Sequence, residues 1–397
     1  MQSKLQQLRN CAVYQGDCLE VMATLPDDSI DSCVTDPPYG LKFMGKNWDH
    51  RSPGVPYWRE ILRVLKPGAH LFAFGGTRTQ HRMVCAIEDA GFEIRDMIAW
   101  VYGSGFPKSH DVSKAIEKMA GGQRDKIKHF NPGNPSVTGR GKDGTVGASR
   151  PWIVAAMERG YHEVDSDNPV TEAARQWQGW GTALKPALEP ITVARKPFRG
   201  AIAANVLKHG TGAINVDGGR VATDDNLNGG GYDPKGRWPA NLIHDGSDEV
   251  TRLFPESNSQ GGGVYKDSIL GGGKPWHRYS IGDSGSAARF FYTAKADAIE
   301  RSASRHPAVK PVNLIQYLCR LVTPPGGTVI DPFAGTGTTG EACFREGFKA
   351  ILIERAPEYF EDIRRRMELA GMGPDERQRE TIKARGLTAG AGPLFDP

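Results

Sequence analysis

The sequence predicts an α/β protein built on a doubly wound, Rossmann-like sheet, and three observations carry that expectation. Short apolar runs alternate with stretches of helical periodicity through residues 12–101. The same alternation returns at residue 290, after a long interval that lacks it. Both stretches contain a buried strand that runs into a turn of special residues: Ile30 to Thr35 into Asp36-Pro37-Pro38-Tyr39-Gly40, and Thr328 to Asp331 into Pro332-Phe333-Ala334-Gly335-Thr336-Gly337.

Taken in order, 12–15 reads as a short strand entering Gly16-Asp17, and 19–25 as a helix ended by Pro26-Asp27-Asp28. The strand 30–35 cannot pass two prolines, because proline lacks an N–H and has a fixed φ. Residues 41–50, with Phe43, Gly45 and Trp48, read either as a mobile lid or as a plain surface loop. A helix is expected over 58–65, stopped by Pro67-Gly68, then a buried strand over 69–75, a helix over 81–90 and a strand over 93–101. From about Gly103 to Arg289 the chain is rich in Gly, Pro, Asn and Ser, with loop-like runs at 131–147, 226–236 and 257–273. Beyond it come a helix over 312–321, the strand feeding the glycine turn, a helix over 341–346 and a strand over 349–353 ending at Glu354. The expected division is therefore 1–104, an irregular insertion 105–289, 290–371 and a loose polar tail 372–397.

A chain of 397 residues is long enough for more than one domain. Its 39% hydrophobic and 24% charged residues suit a globular protein, and a net charge of +4 is too small to demand a polyanionic partner. Cys11, Cys18, Cys33, Cys85, Cys319 and Cys343 are scattered, without Cys-x-x-Cys spacing or a nearby His cluster. That argues against a disulfide framework and a zinc site, and for a reducing cytoplasm. The first residues carry no apolar signal core and no later run is long enough for a bilayer, so a cytoplasmic protein without a membrane partner is expected.

The turn after Thr35 presents the Asp36 carboxylate, the carbonyls of Asp36 and Pro37, and the flat Tyr39 ring at a strand end, with Pro37 and Pro38 stiffening it. Acceptors beside a stacking surface suit a planar ligand with an exocyclic amino group. Asp, Pro and Gly are also ordinary turn residues, so these five alone leave a plain turn open.

The second turn belongs to a strand, a Gly-x-Gly loop, a helix, a second strand and an acid about 20 residues on, which is the mononucleotide half of a Rossmann-like sheet. Gly335 and Gly337 would let the backbone approach a ligand, and Glu354 would hold two ribose hydroxyls. The loop lacks the Gly-Lys-Ser/Thr ending of a phosphate-binding P-loop and the third glycine of a dinucleotide site. A nucleoside ligand without a pyrophosphate, such as S-adenosylmethionine, fits that gap.

In the irregular middle, basic residues recur beside aromatics: Arg140 and Lys142 before Trp152, Arg195, Lys196 and Arg199 around Phe198, then Lys208. Such pairs can neutralise phosphates while rings stack on bases, or form an ordinary solvated surface. A large insertion beside a catalytic half argues for a large substrate.

The chain resembles the amino-methyltransferases of DNA, which methylate adenine N6 or cytosine N4. Asp36-Pro37-Pro38-Tyr39 and Phe333-Ala334-Gly335-Thr336-Gly337 carry the resemblance, over roughly 13–101 and 290–367. Their order, with a long segment between, is similar to the β class, whose sheet is a circular permutation of the common methyltransferase sheet with a variable target-recognition insertion. The resemblance implies that Asp36 and Pro37 accept from the target amino group and that Tyr39 stacks on a base flipped out of double-stranded DNA. It further implies a cofactor site of Asp331, Phe333, Gly335, Gly337, Thr338 and Glu354, with Asp17 at the cofactor's adenine and His306, Lys310 and Asn313 supporting its methionine end. Asp at position 36, and no Pro-Cys nucleophile, tilt the expectation to adenine N6; cytosine N4 stays open, as does a non-catalytic DNA-binding regulator with this fold. The resemblance suggests a homodimer. With no nuclease or helicase motif recognised, any restriction endonuclease would be a separate chain, or the protein an orphan.

Overall fold

A buried strand needs apolar residues on both faces, and Ile30-Asp31-Ser32-Cys33-Val34-Thr35 is buried at all six positions in the computed structural model. The structure describes residues 4–41, 51–105, 107, 109–129, 161–222, 236–259, 264–265, 276–277, 283–295, 309–373, 376–377 and 379–380.

The first five strands are β1 (Lys4–Leu8), β2 (Cys11–Gln15), β3 (Ile30–Thr35), β4 (Leu65–Phe74) and β5 (Glu93–Val101). They are joined by α1 (Cys18–Met22), α2 (Val55–Val64) and α3 (Gln80–Asp89). Pro56 opens α2, where its missing N–H costs nothing, and Trp58, Ile61 and Val64 form the buried stripe. The expected stop at Pro67-Gly68 is replaced by a longer strand: β4 starts at Leu65, with a register shift against β3 between Ile30 and Ser32. Gly68, at φ +81°, permits this, since a Cβ there would lie 2.4 Å from Asn205 Nδ2.

The chain forms two compact units, Met1–Gly103 with Leu188–Pro397, and Ser104–Ala187. The second contains α4 (Val112–Met119), α5 (Glu172–Gln176) and the antiparallel pair β6 (Lys126–His129) and β7 (His162–Asp165). Its interior is polar: Glu117 accepts from Arg124 and from the amides of Val170 and Thr171, while Arg124 donates to Ser113 Oγ at 2.6 Å.

The segment expected as one irregular insertion is thus divided, because 188–289 returns to the first unit. β8 (Leu188–Arg195) joins the main sheet, and α6 (Ile202–His209) and β9 (Leu242–His244) follow. The apolar run Ile191-Thr192-Val193-Ala194 is buried as a central strand must be, a signal masked by the loop-rich sequence around it. Smaller elements are α7 (Asp248–Thr251), the pair β10 (Glu256–Ser259) and β13 (Asp283–Ser286), and the pair β11 (Val264–Tyr265) and β12 (Trp276–His277). Then come β14 (Tyr292–Thr293), α8 (Val312–Val322), β15 (Thr328–Asp331), α9 (Thr338–Glu346), β16 (Lys349–Glu354) and α10 (Pro357–Leu369).

The main sheet has ten strands in the order β1-β2-β16-β15-β3-β4-β8-β5-β9-β14. All run parallel except β1 and β8. β3 and β15 pair directly, one from each end of the chain, and the order proceeds outward from them in opposite directions. That pairing is the switch point at which an open α/β sheet places a ligand, outside the carboxyl ends of its strands.

The tail is anchored further than expected. Arg377 is buried and pairs with Glu341, which also receives Arg366 at 2.8 Å and Arg345 at 2.7 Å. Residues 381–397 lie outside the described residues, as do 42–50 of the expected lid. Among the described residues no helix is long and apolar enough to cross a membrane.

Candidate active site

Asp36 is the first residue after β3, and Pro37 and Pro38 end the strand there. The buried Thr35 hydroxyl donates to Asp331 Oδ1 at 2.6 Å, tying the end of β3 to the end of β15. Asp331 also accepts from Thr339 Oγ1 at 2.6 Å and from the Phe333 amide at 3.1 Å. Burial pushes its carboxyl up to about 6 despite these donors.

The two Asp36 oxygens have different partners. Tyr39 OH donates to Oδ1 at 2.6 Å, and Lys310 Nζ donates to Oδ2 at 2.8 Å. Glu189, at the start of β8, meets the same two groups, 3.0 Å from Lys310 Nζ and 3.2 Å from Tyr39 OH. Burial alone would lower the Lys310 pKa, but Asp36 and Glu189 overcome it and hold the ammonium above its ordinary value. Burial and the same two carboxylates raise the Tyr39 phenol well above its own. Behind Tyr39, a Cβ on Gly76 would lie 3.1 Å from the ring, so the absence of a side chain there seats it.

Across the switch point, Gly335 and Gly337 have φ of +51° and +75°. The Gly337 conformation opens α9, and Ile363 lies 2.9 Å from where a Cβ would stand. Glu354 ends β16 and accepts from the Gly335 amide at 2.9 Å and the Ala356 amide at 2.7 Å. Burial moves its carboxyl up to about 7. Thr338 is buried, bonded to the Thr336 hydroxyl at 3.0 Å. The Phe333 ring lies 6.1 Å from that of Tyr57, a residue that no sequence motif marks. Asp17 caps α1, accepting from the Leu19 amide at 2.9 Å, while the Gly16 amide donates to the Glu354 carbonyl, so Asp17 and Glu354 stand at neighbouring strand ends. On α8 the side-chain oxygen of Asn313 is buried with no hydrogen-bond partner among the described residues.

These positions bring Asp36, Pro37, Pro38 and Tyr39 to the same sheet end as Asp331, Phe333, Gly335, Gly337, Thr338, Glu354 and Asp17. Lys310, expected toward a cofactor carboxylate, instead sits in the Asp36 cluster, because two carboxylates there compensate its burial. The basic residues of the middle segment are placed otherwise. β8 runs antiparallel, so its far end lies beside the middle of β4 and the start of β5: Arg195 stands opposite His70 and Glu93 and pairs with Glu93 at 2.6 Å. Seven residue steps of strand separate it from Leu188, roughly 23 Å. Lys196 binds Asp28 and the carbonyls of Arg63 and Leu65 there. Arg199 is exposed just beyond, and Lys208 is exposed on α6, whose Asn205 binds the Pro67 carbonyl. None of the four reaches the Asp36 end. Arg140, Lys142 and His306 lie outside the described residues.

The chain is 22% identical over 373 residues to the type II methyltransferase M.HindIII of Haemophilus influenzae, covering 82% of this chain and 85% of that protein. It is 28% identical over 357 residues to the type II methyltransferase M.PvuII of Proteus hauseri, covering 88% and 81%. Among solved structures, PvuII DNA methyltransferase (cytosine-N4-specific) overlies it with a TM-score of 0.45 at 14% identity, covering 96% of this chain and 94% of that one. The family model described as DNA methylase matches residues 30–365, and the chain belongs to that family.

Proposed function

We propose that this DNA methylase transfers a methyl group from S-adenosylmethionine to the N6 amino group of an adenine flipped out of double-stranded DNA. One observation carries the reading: Asp36 directly follows the strand at the switch point of the sheet, and the hydroxyl of its chain neighbour Thr35 donates to Asp331, which closes the strand that feeds the glycine turn.

The residues beside that turn fit the cofactor. Gly335 and Gly337 keep side chains away from the loop, Glu354 offers carboxylate oxygens at the next strand end, and the Asn313 side-chain oxygen is a buried acceptor without a donor among the described residues. When bound, S-adenosylmethionine supplies a methyl group on a cationic sulfonium.

The chain's own residues do the rest. An aromatic amino nitrogen is a poor nucleophile because its lone pair is shared with the ring. Asp36 and the Pro37 carbonyl, accepting its hydrogens, localise that pair on nitrogen, and Tyr39 stacks on the base to fix its plane. As the N–C bond formed, the bond from the methyl to sulfur would break and leave a neutral thioether; the nitrogen, made cationic, would shed one hydrogen, which Asp36 is placed to accept. Tyr39 OH already donates to Asp36, so the ring and the acceptor are held as one piece. Target recognition falls to the segment after Gly103, of which Ser104–Ala187 folds as its own unit with Trp177 and Trp180 exposed. In this reading the protein is a homodimer, and any restriction activity resides on another chain.

The test is nucleoside mass spectrometry of DNA incubated with the protein and isotopically labelled S-adenosylmethionine, beside Asp36→Ala. Labelled N6-methyladenine that disappears in the variant is expected. Labelled N4-methylcytosine would reassign the base while keeping the acceptor role of Asp36, and unlabelled DNA would reject the reading.

A further inference from the structure

Glu189 lies outside every sequence motif, in Leu188-Glu189-Pro190, yet β8 delivers it to the active site. A parallel strand brings its last residue to the ligand-binding end of the sheet, whereas an antiparallel one brings its first. β8 is antiparallel to β4 and β5, with Glu189 opposite Trp100 near the end of β5 and Ile191 opposite Phe74 at the end of β4. The Glu189 carboxylate therefore emerges where Asp36 does. Its oxygen Oε2 lies 3.0 Å from Lys310 Nζ and 3.2 Å from Tyr39 OH.

We propose that Glu189 is a positioning residue for methyl transfer: it shares the Lys310 ammonium with Asp36 and anchors the Tyr39 hydroxyl, leaving Asp36 able to accept from the target amino group. The inference rests on the methyl-transfer reading above. Its physical content is a charge balance. Lys310 is buried and donates to Asp36 at 2.8 Å, and as the sole partner of that ammonium Asp36 would be tied up in a strong charge-assisted pair. With a second carboxylate 3.0 Å away the ammonium is divided between two carboxylates, besides the Tyr39 hydroxyl it donates to at 3.2 Å, and Asp36, Glu189 and Lys310 together carry a formal charge of −1. That sign favours a nitrogen that becomes cationic as the new bond forms. The single proton of the Tyr39 hydroxyl lies between Asp36 Oδ1 at 2.6 Å and Glu189 Oε2 at 3.2 Å, and the hydroxyl accepts from Lys310 Nζ at 3.2 Å, so the ring that would stack on the base is fixed at its hydroxyl by this cluster.

Glu189→Gln keeps the shape and removes the charge, and Glu189→Asp keeps the charge on a shorter stem. Both are compared with the full-length wild type for kcat, KM for DNA and thermal midpoint, using labelled S-adenosylmethionine and genomic DNA from a methylation-deficient host. The expected result is a kcat lower by roughly 10- to 100-fold in Glu189→Gln, the loss that a small misplacement of reacting groups produces. KM for DNA stays within about threefold and the midpoint is kept, while Glu189→Asp regains part of the rate because charge is what Lys310 requires. Should Glu189→Gln fail to fold, the same kcat-against-KM comparison is made on Glu189→Asp, expected to fall between wild type and inactivity. A Glu189→Gln enzyme with wild-type kcat, a loss confined to KM, or a Glu189→Asp enzyme no better than Glu189→Gln would overturn the inference while the methyl-transfer reading stood. A wild-type protein that labels no DNA would instead remove the reading beneath it.

Discussion

The Thr35 hydroxyl donates to Asp331 Oδ1 at 2.6 Å, so the residue before the proposed catalytic aspartate is bonded to the residue that closes the strand before the glycine turn. Both are buried, and both belong to the central strand pair of the sheet. Removing the donor leaves a buried carboxylate short of one hydrogen bond, which typically costs about 1–3 kcal/mol. Thr35→Val, nearly the same shape, is therefore expected to lose that much stability in denaturant unfolding. If the bond also aligns Asp36 with the cofactor side, kcat falls while cofactor affinity is kept. An unchanged unfolding midpoint would show that the bond contributes nothing.

Cofactor binding should depend on pH through Glu354. Burial raises its carboxyl to about 7, while its two amide donors, from Gly335 and Ala356, favour the ionised form. An ionised carboxylate accepts from both hydroxyls of a ribose. Affinity for S-adenosylmethionine is thus expected to rise as pH increases through about 7 and to level off above it. Titration calorimetry at several pH values checks this, and Glu354→Gln should bind more weakly and lose the dependence.

Glu341, on α9, ties down α10 and Arg377 beyond it. It is fully buried and receives Arg366 at 2.8 Å, Arg345 at 2.7 Å and Arg377. Although burial opposes it, the arginines, Arg366 foremost, keep its carboxyl below the ordinary range. A carboxylate with a depressed folded pKa contributes stability above its unfolded value of 4.5 that is lost as pH falls through the folded one. Glu341→Ala leaves Arg366 buried without its carboxylate and is expected to destabilise the protein by about 3–5 kcal/mol, measurable by urea unfolding near neutral pH.

Local composition made much of this architecture legible. The all-buried β3 follows from its apolar run and its prolines, β5 occupies 93–101 as expected, and the glycine turn with Glu354 follows from spacing. What stayed hidden depended on contacts between distant residues. β8 lies in a stretch dominated by loop formers, and only its antiparallel course explains why Glu189 reaches Asp36 while Arg195 and Lys196 do not. The sequence neighbours of Lys310 point it toward the cofactor, but a buried ammonium goes where carboxylates compensate its desolvation. Arg377 falls in the tail expected to be loose, and Arg366 lies in α10, a helix that the sequence analysis does not mark. Their burial is set by Glu341, a single acid facing inward from α9.

Asp331 gives stability a pH dependence of the opposite sign to Glu341. Its carboxyl ionises near 3.8 in an unfolded chain, but burial holds it protonated up to about 6 in the folded protein. Between those values the unfolded state has released a proton that the folded state retains, so rising pH favours unfolding. The stabilisation this group provides in acid is complete below about pH 4 and gone above about pH 6, a change of about 3 kcal/mol. Asp331→Asn cannot titrate. The difference in unfolding free energy between wild type and Asp331→Asn should therefore shift against the wild type as pH rises from about 4 to 6 and stay constant above. A difference that is flat across this window would mean that the hydroxyls of Thr35 and Thr339 keep Asp331 ionised throughout, with the bond between the two strands charge-assisted even in acid.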